Sequence, residues 1–487
     1  MSGAAPRRLR IAVIGAGMSG ILCGIKLREA GLGDIVIYEK ADRIGGTWRE
    51  NRYPGLSCDV PSHSYTYSFE PNPEWSHLFS PGPEIQAYFE GVVAKYDVAT
   101  LIRFNSPIVR ADYDAGRWQL TTADGDTDTF DVVIAATGFL HQPAYPDIPG
   151  LDSFAGAAFH SARWDDRVSL KDQRVGVIGT GSTAVQITSA VIDEVSHFSL
   201  FQRTAQWVLA YPNPPYSETD RAGFRQHPEK MREIYHYWLN RFRDTFARAV
   251  IGDEQELNKI QAYCRDNLER NVHDADLRAR LTPDYKVACK RLIMSDTFYP
   301  ALQRPNASLV TAGIERIEPR GIRTVDGQLH ELDVLVLATG FHAHRFMQPM
   351  AVTGRNGLTL EQAWADAALA HRAVALPDFP NFFMLCGPNS PIGNFSVILI
   401  SEIQLAYVTR LIERLRRGDC RALVPRAAAT ADFNAAVREA MKGTVWVSGC
   451  RSWYLDRHGN PAMWPWSFER FVDDMQAPDW SEYELIA

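Results

Sequence analysis

Glu39 and Arg203 occupy matching places in two copies of one pattern. Glu39 lies 24 residues after Gly15 (39 − 15), the first glycine of Gly15-x-Gly17-x-x-Gly20. Arg203 lies 24 residues after Gly179 (203 − 179), the first glycine of Gly179-x-Gly181-x-x-Ala184. Glycines at this spacing allow a tight turn and close backbone approach to a pyrophosphate, and the free N–H groups of the helix that follows can hold the phosphates. The residue at the end of the next strand selects the ribose. A carboxylate accepts from free ribose hydroxyls and repels a 2′-phosphate, whereas a guanidinium pairs with that phosphate. The first turn is therefore expected to take FAD and the second NADPH. Arg203 could also be an ordinary surface charge after a strand.

The elements around each turn support this reading. Residues 9–14 (LRIAVI) form a short apolar run of the kind found in buried parallel strands, followed by a helical stretch to about Ala30 and a second strand at 35–38. From Arg174 the chain repeats the arrangement, with RVGVIGTGSTAVQITSAV and then HFSLFQR ending at Arg203. A G-x-G-x-x-G alone is a weak signal. Set between a strand and a helix, and followed by a second strand and a charged residue, it is a strong one. Met18, Ser19, Lys40, Gly46 and Thr47 are added as FAD contacts. Thr180, Ser182, Thr183 and Thr204 are added as NADPH contacts.

A second repeat ties the halves together. Residues 131–139 read DVVIAATGF and residues 333–341 read DVLVLATGF. The first places Thr137 and Gly138 at the FAD turn, and the second places Ala338 and Thr339 at the NADPH turn. The second is also expected to be the strand that returns to the first unit. The expected fold class is α/β, with two Rossmann-like dinucleotide-binding domains, the second inserted in the first. The FAD domain is expected to span 1–145 and 333–487, with a linker at 146–172 and the NADPH domain at 173–332. Residues 117–135 read as a hairpin with its turn at Asp124-Gly125, and 396–417 as a helix. Residues 215–282 have apolar side chains at helical intervals and form a helical insert, either a cover for a substrate cleft or a solvated subdomain without chemistry.

The totals exclude several classes. The 487 residues have a net charge of −7, 46% hydrophobic and 22% charged residues, and no basic block, so nothing favours nucleic acid. Seven cysteines without a C-x-x-C pair suggest reduced thiols and a cytoplasmic protein, with no metal site. The run after Arg7 and Arg8 carries nucleotide-binding glycines and no cleavage site, so it is not read as a signal peptide. The longest apolar stretch, 395–417, contains Glu402, Arg410 and Glu413, so no membrane span is expected.

Between the two units lies FAGAAFHSARWD, read from the residues alone as a loop or an aromatic-rich linker. Its pattern is F-x-G-x-x-x-H-x-x-x-W-[PD] through Phe154, Gly156, His160, Trp164 and Asp165. Together with GGTWRENRYPGLSCD at 45–59, Lys290-Arg291 and the two ATG strands, it resembles the class I Baeyer–Villiger monooxygenases over nearly the whole chain. The resemblance implies an NADPH- and O2-dependent enzyme that converts a ketone to an ester or lactone through an anionic flavin peroxide. Arg291 is implied to be the catalytic cation, Asp59 to orient it, and Lys290 to be a second NADPH phosphate contact. Trp48 is implied to lie against the flavin, with Tyr65 and the Val109 backbone also near FAD. Redox cysteines of the disulfide reductases are absent at the Trp48 position. His160 and Trp164 are assigned to hinge coupling. GPNSPIGNF at 387–395 is implied to lie near the flavin ring, and the aromatic tail 444–471 either to meet substrate or to cap the core. Taken singly, Trp48 could be a core aromatic, Asp59 a turn residue, Val109 a plain strand residue, and Lys290 and Arg291 surface charges. A heteroatom monooxygenase and an NADPH oxidase remain as alternatives. The implied partners are a ketone and O2, in a monomer or weak homo-oligomer.

Overall fold

The computed structural model describes residues 7–487. Two five-stranded parallel sheets organise it. The first has the order Phe382–Met384, Val132–Ala135, Leu9–Ile14, Gly33–Tyr38, Ile102–Arg103. The second has the order Ala307–Val310, His197–Phe201, Arg174–Ile178, Val334–Leu337, Ala157–His160. The central strands are almost wholly buried, as parallel strands covered on both faces must be.

The two units repeat one another down to single hydrogen bonds. In each, an antiparallel unit precedes the ATG strand: 108–130 before Val132–Ala135, and 314–331 before Val334–Leu337. In each, the aspartate that opens the repeat accepts from the backbone N–H that begins the central strand. Asp131 takes Arg10 N–H at 2.8 Å, and Asp333 takes Arg174 N–H at 2.9 Å.

Three expectations are corrected here. Val334–Leu337 does not return to the first sheet; it pairs with Arg174–Ile178 in the second. It is the counterpart of Val132–Ala135, which pairs with the first strand of its own unit, so the same crossover is made twice. The strand that returns to the first sheet is Phe382–Met384. The segment 154–165 is not simply a loop, because Ala157–His160 pairs in parallel with Val334–Leu337 as the edge of the second sheet. Four residues without period-two alternation gave no strand signal, and the buried VLVL partner supplies the pairing. Finally, not every thiol is free: Cys289 and Cys450 form a disulfide across 161 residues of chain, and the other five cysteines are buried and free. Cysteines so far apart in sequence give no pattern to read.

The insert consists of helices Glu218–Gln226, Pro228–Asp244, Phe246–Val250, Glu254–Asn271 and Ala275–Leu281. Three of these five starts are set by side-chain caps: Ser217 with Asp220 in a capping box, Asp253 on Gln255 and Glu256, and Asp274 on Leu277. Helix Val397–Arg417 buries Ile398, Ser401, Leu405, Val408, Ile412 and Leu415 at helical spacing and stops at Gly418, whose φ is 79°. Among the described residues, no helix is long and apolar enough to cross a membrane, and no cluster of side chains suits a metal ion.

Candidate active site

At the first glycine of both turns there is no room for a side chain. Gly15 has φ 105°, and a Cβ there would lie 2.6 Å from the Ala136 carbonyl oxygen. Gly179 has φ 126°, and its Cβ would lie 2.2 Å from the Ala338 carbonyl oxygen. Each ATG segment is therefore pressed against the turn of its own unit, which puts Thr137 and Gly138 beside the first turn and Ala338 and Thr339 beside the second. Helix Met18–Glu29 starts at Gly17 and helix Ser182–Val191 at Gly181. Neither start has a side-chain cap or an acidic residue in its first turn. Uncapped N–H groups at a helix start are what a pyrophosphate requires. A Cβ on Gly181 would meet nothing within 4 Å, so the approach to that turn is clear. The residues present thus fit two dinucleotides.

Glu39 is buried at the end of its strand. Its carboxylate accepts from Ala16 N–H at 2.8 Å and Ala41 N–H at 3.0 Å, with Arg49 at 3.2 Å. Lys40 pairs with Glu50 at 3.1 Å. Burial disfavours the Glu50 charge, but Lys40, Arg163 and Arg49 outweigh it and hold the carboxyl below its usual range. Ser19 bonds Ser401 at 3.0 Å, and the Met18 carbonyl accepts from Tyr67. Gly46 (φ 54°) lies against Gly17, and Thr47 opens the short Thr47–Glu50 helix. Trp48 Nε1 donates to the Tyr65 hydroxyl at 3.1 Å, with the rings edge to face at 5.5 Å. Val109 is exposed on strand Ile108–Asp114, just past Ser106, whose N–H bonds the Glu39 carbonyl.

At the second turn, Thr180 donates to the Thr204 carbonyl at 2.9 Å and accepts from Gln206 at 3.2 Å. Ala184 is buried, and Thr183 reaches the Tyr53 hydroxyl at 3.4 Å. Arg203 is exposed. Lys290 lies over the Tyr285 ring at 4.6 Å, and its pKa is lowered, first by burial and then by the Arg203 charge. The Arg203 charge acts on Lys290 in this way more than Asp284 offsets it.

Arg291 meets Asp59 across 232 residues of sequence. Its Nε donates to Asp59 Oδ2 at 2.8 Å, Nη2 lies 2.7 Å from the same oxygen, and Nη1 reaches the Gly393 carbonyl at 3.4 Å. Burial works against the charge, yet Asp59 and the Tyr454 hydroxyl leave the guanidinium pKa raised. The pair keeps 30% and 26% of its side-chain exposure, so it is sheltered but open on one side.

The polar side chains of the 154–165 segment are held by their own neighbours. His160 is fully buried; its Nε2 donates to the Gly340 carbonyl at 3.0 Å and its Nδ1 accepts from Ala162 N–H at 3.1 Å. Burial pushes its pKa down to about 4, so the ring is neutral. Trp164 packs edge to face on Phe159 at 4.9 Å. Phe154 packs on the Ile317–Leu332 cluster, and a Cβ on Gly156 would strike the Asp333 carbonyl at 2.3 Å. Asp165 is held at about 2 by Arg167. The links to the first unit come from neighbours of these residues, through Arg163–Glu50 and Arg52–Asp166. A further bridge runs from Tyr53 and Ser57 to Gln186 on the helix after the second turn. Sequence reasoning missed Gly393 as an acceptor and Tyr454. It singled out the stretches containing both, but nothing in their composition pointed to these atoms.

Two dinucleotide turns in one chain, together with a paired arginine and aspartate, are the mark of a two-nucleotide oxidoreductase. Comparison narrows the class. Residues 8–214 match the flavin-binding monooxygenase-like family. An uncharacterized monooxygenase of Mycobacterium tuberculosis is 49% identical, the match covering 94% of this chain and 92% of that one. A Baeyer-Villiger monooxygenase of Streptomyces coelicolor is 40% identical, over 98% of this chain and 93% of its own. The structure of OTEMO in complex with FAD and NADP superposes with a TM-score of 0.89 at 26% identity, covering 99% of this chain and all of the other. The chain belongs to the Baeyer–Villiger monooxygenases; it is a flavoprotein enzyme whose cofactors are FAD and NADPH.

Proposed function

We propose that this enzyme inserts one oxygen atom of O2 beside the carbonyl of a ketone, giving an ester or lactone, with NADPH as reductant and water as the second product. The observation that carries this is the Arg291–Asp59 pair, a lasting positive charge held in a sheltered site that is fed by both units. Bound FAD supplies the electron transfer and oxygen activation. The chain's own residues supply the rest. Gly15, Gly17, Gly20 and the helix start at Met18 hold the FAD pyrophosphate, and Glu39 remains beside its ribose. Trp48 and Tyr65 form an aromatic wall beside Asp59. Gly179, Gly181, Thr180, Ser182 and Thr183 hold the NADPH pyrophosphate, with its 2′-phosphate between Arg203 and Lys290. The unit that holds FAD comprises the N-terminal part and the C-terminal part from the Ala351–Thr353 strand onward, which pairs with Ile108–Asp114, and the unit that holds NADPH lies between.

Attack on a carbonyl carbon puts negative charge on the carbonyl oxygen. Arg291 donates to that oxygen, and Asp59 keeps the guanidinium aimed without moving its proton. One preorganised donor of this kind is worth about 3–4 kcal/mol, or roughly a hundredfold to a thousandfold in rate. An amine or thioether develops no such anion, so the paired cation favours the ketone reading over heteroatom oxygenation. The test is Arg291→Ala. Ester formation should fall by at least about a hundredfold while FAD remains bound, as read by flavin absorbance after gel filtration. Near-normal ester formation in that variant would overturn the proposal.

A further inference from the structure

The Asp59 contact alone does not fix the Arg291 guanidinium. Both nitrogens on that side meet a single carboxylate oxygen, and only Nε makes a hydrogen bond to it, so the plane can swing about that point. The opposite edge has only the Gly393 carbonyl at 3.4 Å, at the long end for a hydrogen bond. The C-terminal tail fills the remaining place. Tyr454 is 1% exposed, and its ring lies flush on Gly393: a Cβ on that glycine would be 3.1 Å from a ring carbon and 3.2 Å from the hydroxyl oxygen. Trp453 and Trp446 flank the ring at 4.4 and 5.7 Å. The hydroxyl therefore lies against the glycine whose carbonyl Nη1 reaches, and it helps to keep the guanidinium pKa raised.

The same stretch is tied to the arginine's own segment at two further points. Cys450 is bonded to Cys289, and the Ser452 hydroxyl donates to the Cys289 carbonyl at 3.3 Å while accepting from Tyr454 N–H. Tail residues 450–454 and residues 289–291 therefore form one unit. A phenol has an advantage over a second carboxylate in this place. It accepts a hydrogen bond without a negative charge, so it orients the cation and leaves its charge available to an anion.

We infer that Tyr454 is a positioning residue for Arg291, holding the free edge of the guanidinium in the plane set by Asp59 and Gly393. This rests on the Arg291 reading above. It predicts that the tail acts on the use made of activated oxygen and not on ketone binding alone.

Tyr454→Phe removes the hydroxyl and keeps the ring. In FAD-free protein labelled with 15N-arginine, the Arg291 Nε–H resonance, assigned by its loss in Arg291→Lys, should exchange with solvent roughly tenfold faster, the scale of one hydrogen bond to a charged group. In the holoenzyme the ratio of hydrogen peroxide to ester should rise by about the same factor, with ketone KM unchanged. A packing role alone would move KM and thermal stability together and leave that ratio in place. Unchanged Nε–H exchange and an unchanged product ratio would overturn the inference. If Tyr454→Phe does not fold, Gly393→Ala, which displaces the phenol ring, is judged by the same two readouts. Arg291→Ala separates the layers. If it still makes ester normally, the Arg291 reading fails; if it is inactive while Tyr454→Phe matches the parent enzyme, only the Tyr454 role fails.

Discussion

Replacing Arg203 tests the assignment of the second turn, and the structure gives both a size and a pattern for the effect. A hydrogen bond to a charged group contributes about 1.5–3 kcal/mol, and Arg203 is exposed, which places it at the lower end because water screens it. Arg203→Ala should therefore lower kcat/KM for NADPH about tenfold and leave NADH, which lacks the 2′-phosphate, nearly unchanged. Lys290 makes the pattern more specific. Its ammonium is half-buried and has its pKa lowered by burial and by Arg203. Removing Arg203 relieves that repulsion, so Lys290 holds its proton more firmly and covers part of the loss. The Arg203→Ala/Lys290→Ala double variant should lose more than the product of the two single losses. The sign of the pH effect follows. As pH rises, the parent enzyme loses the Lys290 charge earlier than Arg203→Ala does, so NADPH affinity weakens sooner in the parent. The assay is initial-rate oxidation of NADPH and NADH by each variant from neutral pH up toward 10.5, the ordinary lysine value. Equal losses for the two nucleotides, or a strictly multiplicative double variant, would refute the reasoning.

The two turns should also fail separately. Gly179→Ala forces a Cβ into the Ala338 carbonyl at a φ that L-residues disfavour, a local cost of about 1–3 kcal/mol before the clash is counted. It should abolish NADPH reduction of the flavin while FAD stays bound, and Gly15→Ala should yield FAD-free protein; flavin content and stopped-flow reduction read both. Acid should destabilise the fold through buried neutral histidines. His160 and His63 are both lowered to about 4, chiefly by burial, from an ordinary value of 6.5. Their stabilisation is complete above pH 6.5 and is lost as pH falls toward 4, by up to about 3 kcal/mol each. His63 has no partner on either ring nitrogen, so His63→Phe should flatten the pH dependence of the urea midpoint over that window.

Much of this was legible from local signals. The glycine spacings specify turns that tolerate no Cβ, and the matched Glu39 and Arg203 follow from a shared strand–turn–helix–strand unit. The insert helices were visible through their periodicity, and the 397–417 helix through its apolar stretch. What was hidden depends on contacts between distant residues. Val334–Leu337 was legible as a strand but its partners were not, and Ala157–His160 is a strand because it pairs with Val334–Leu337. The Cys289–Cys450 bond spans 161 residues without a spacing motif. Arg291 reads as an ordinary surface charge until Asp59, Gly393 and Tyr454 are brought around it. Sheet order permutes the chain, so the residues that meet at the site come from its beginning, its middle and its tail.

The most direct test is product analysis under 18O2. The FAD-loaded enzyme would be given NADPH and a panel of cyclic, linear and aryl ketones, with thioethers and amines alongside, and products identified by mass spectrometry. The account predicts ketone-stimulated NADPH consumption and an ester or lactone carrying one 18O atom for each NADPH oxidised. Hydrogen peroxide as the sole product, or oxygen transferred only to sulfur or nitrogen, would contradict it.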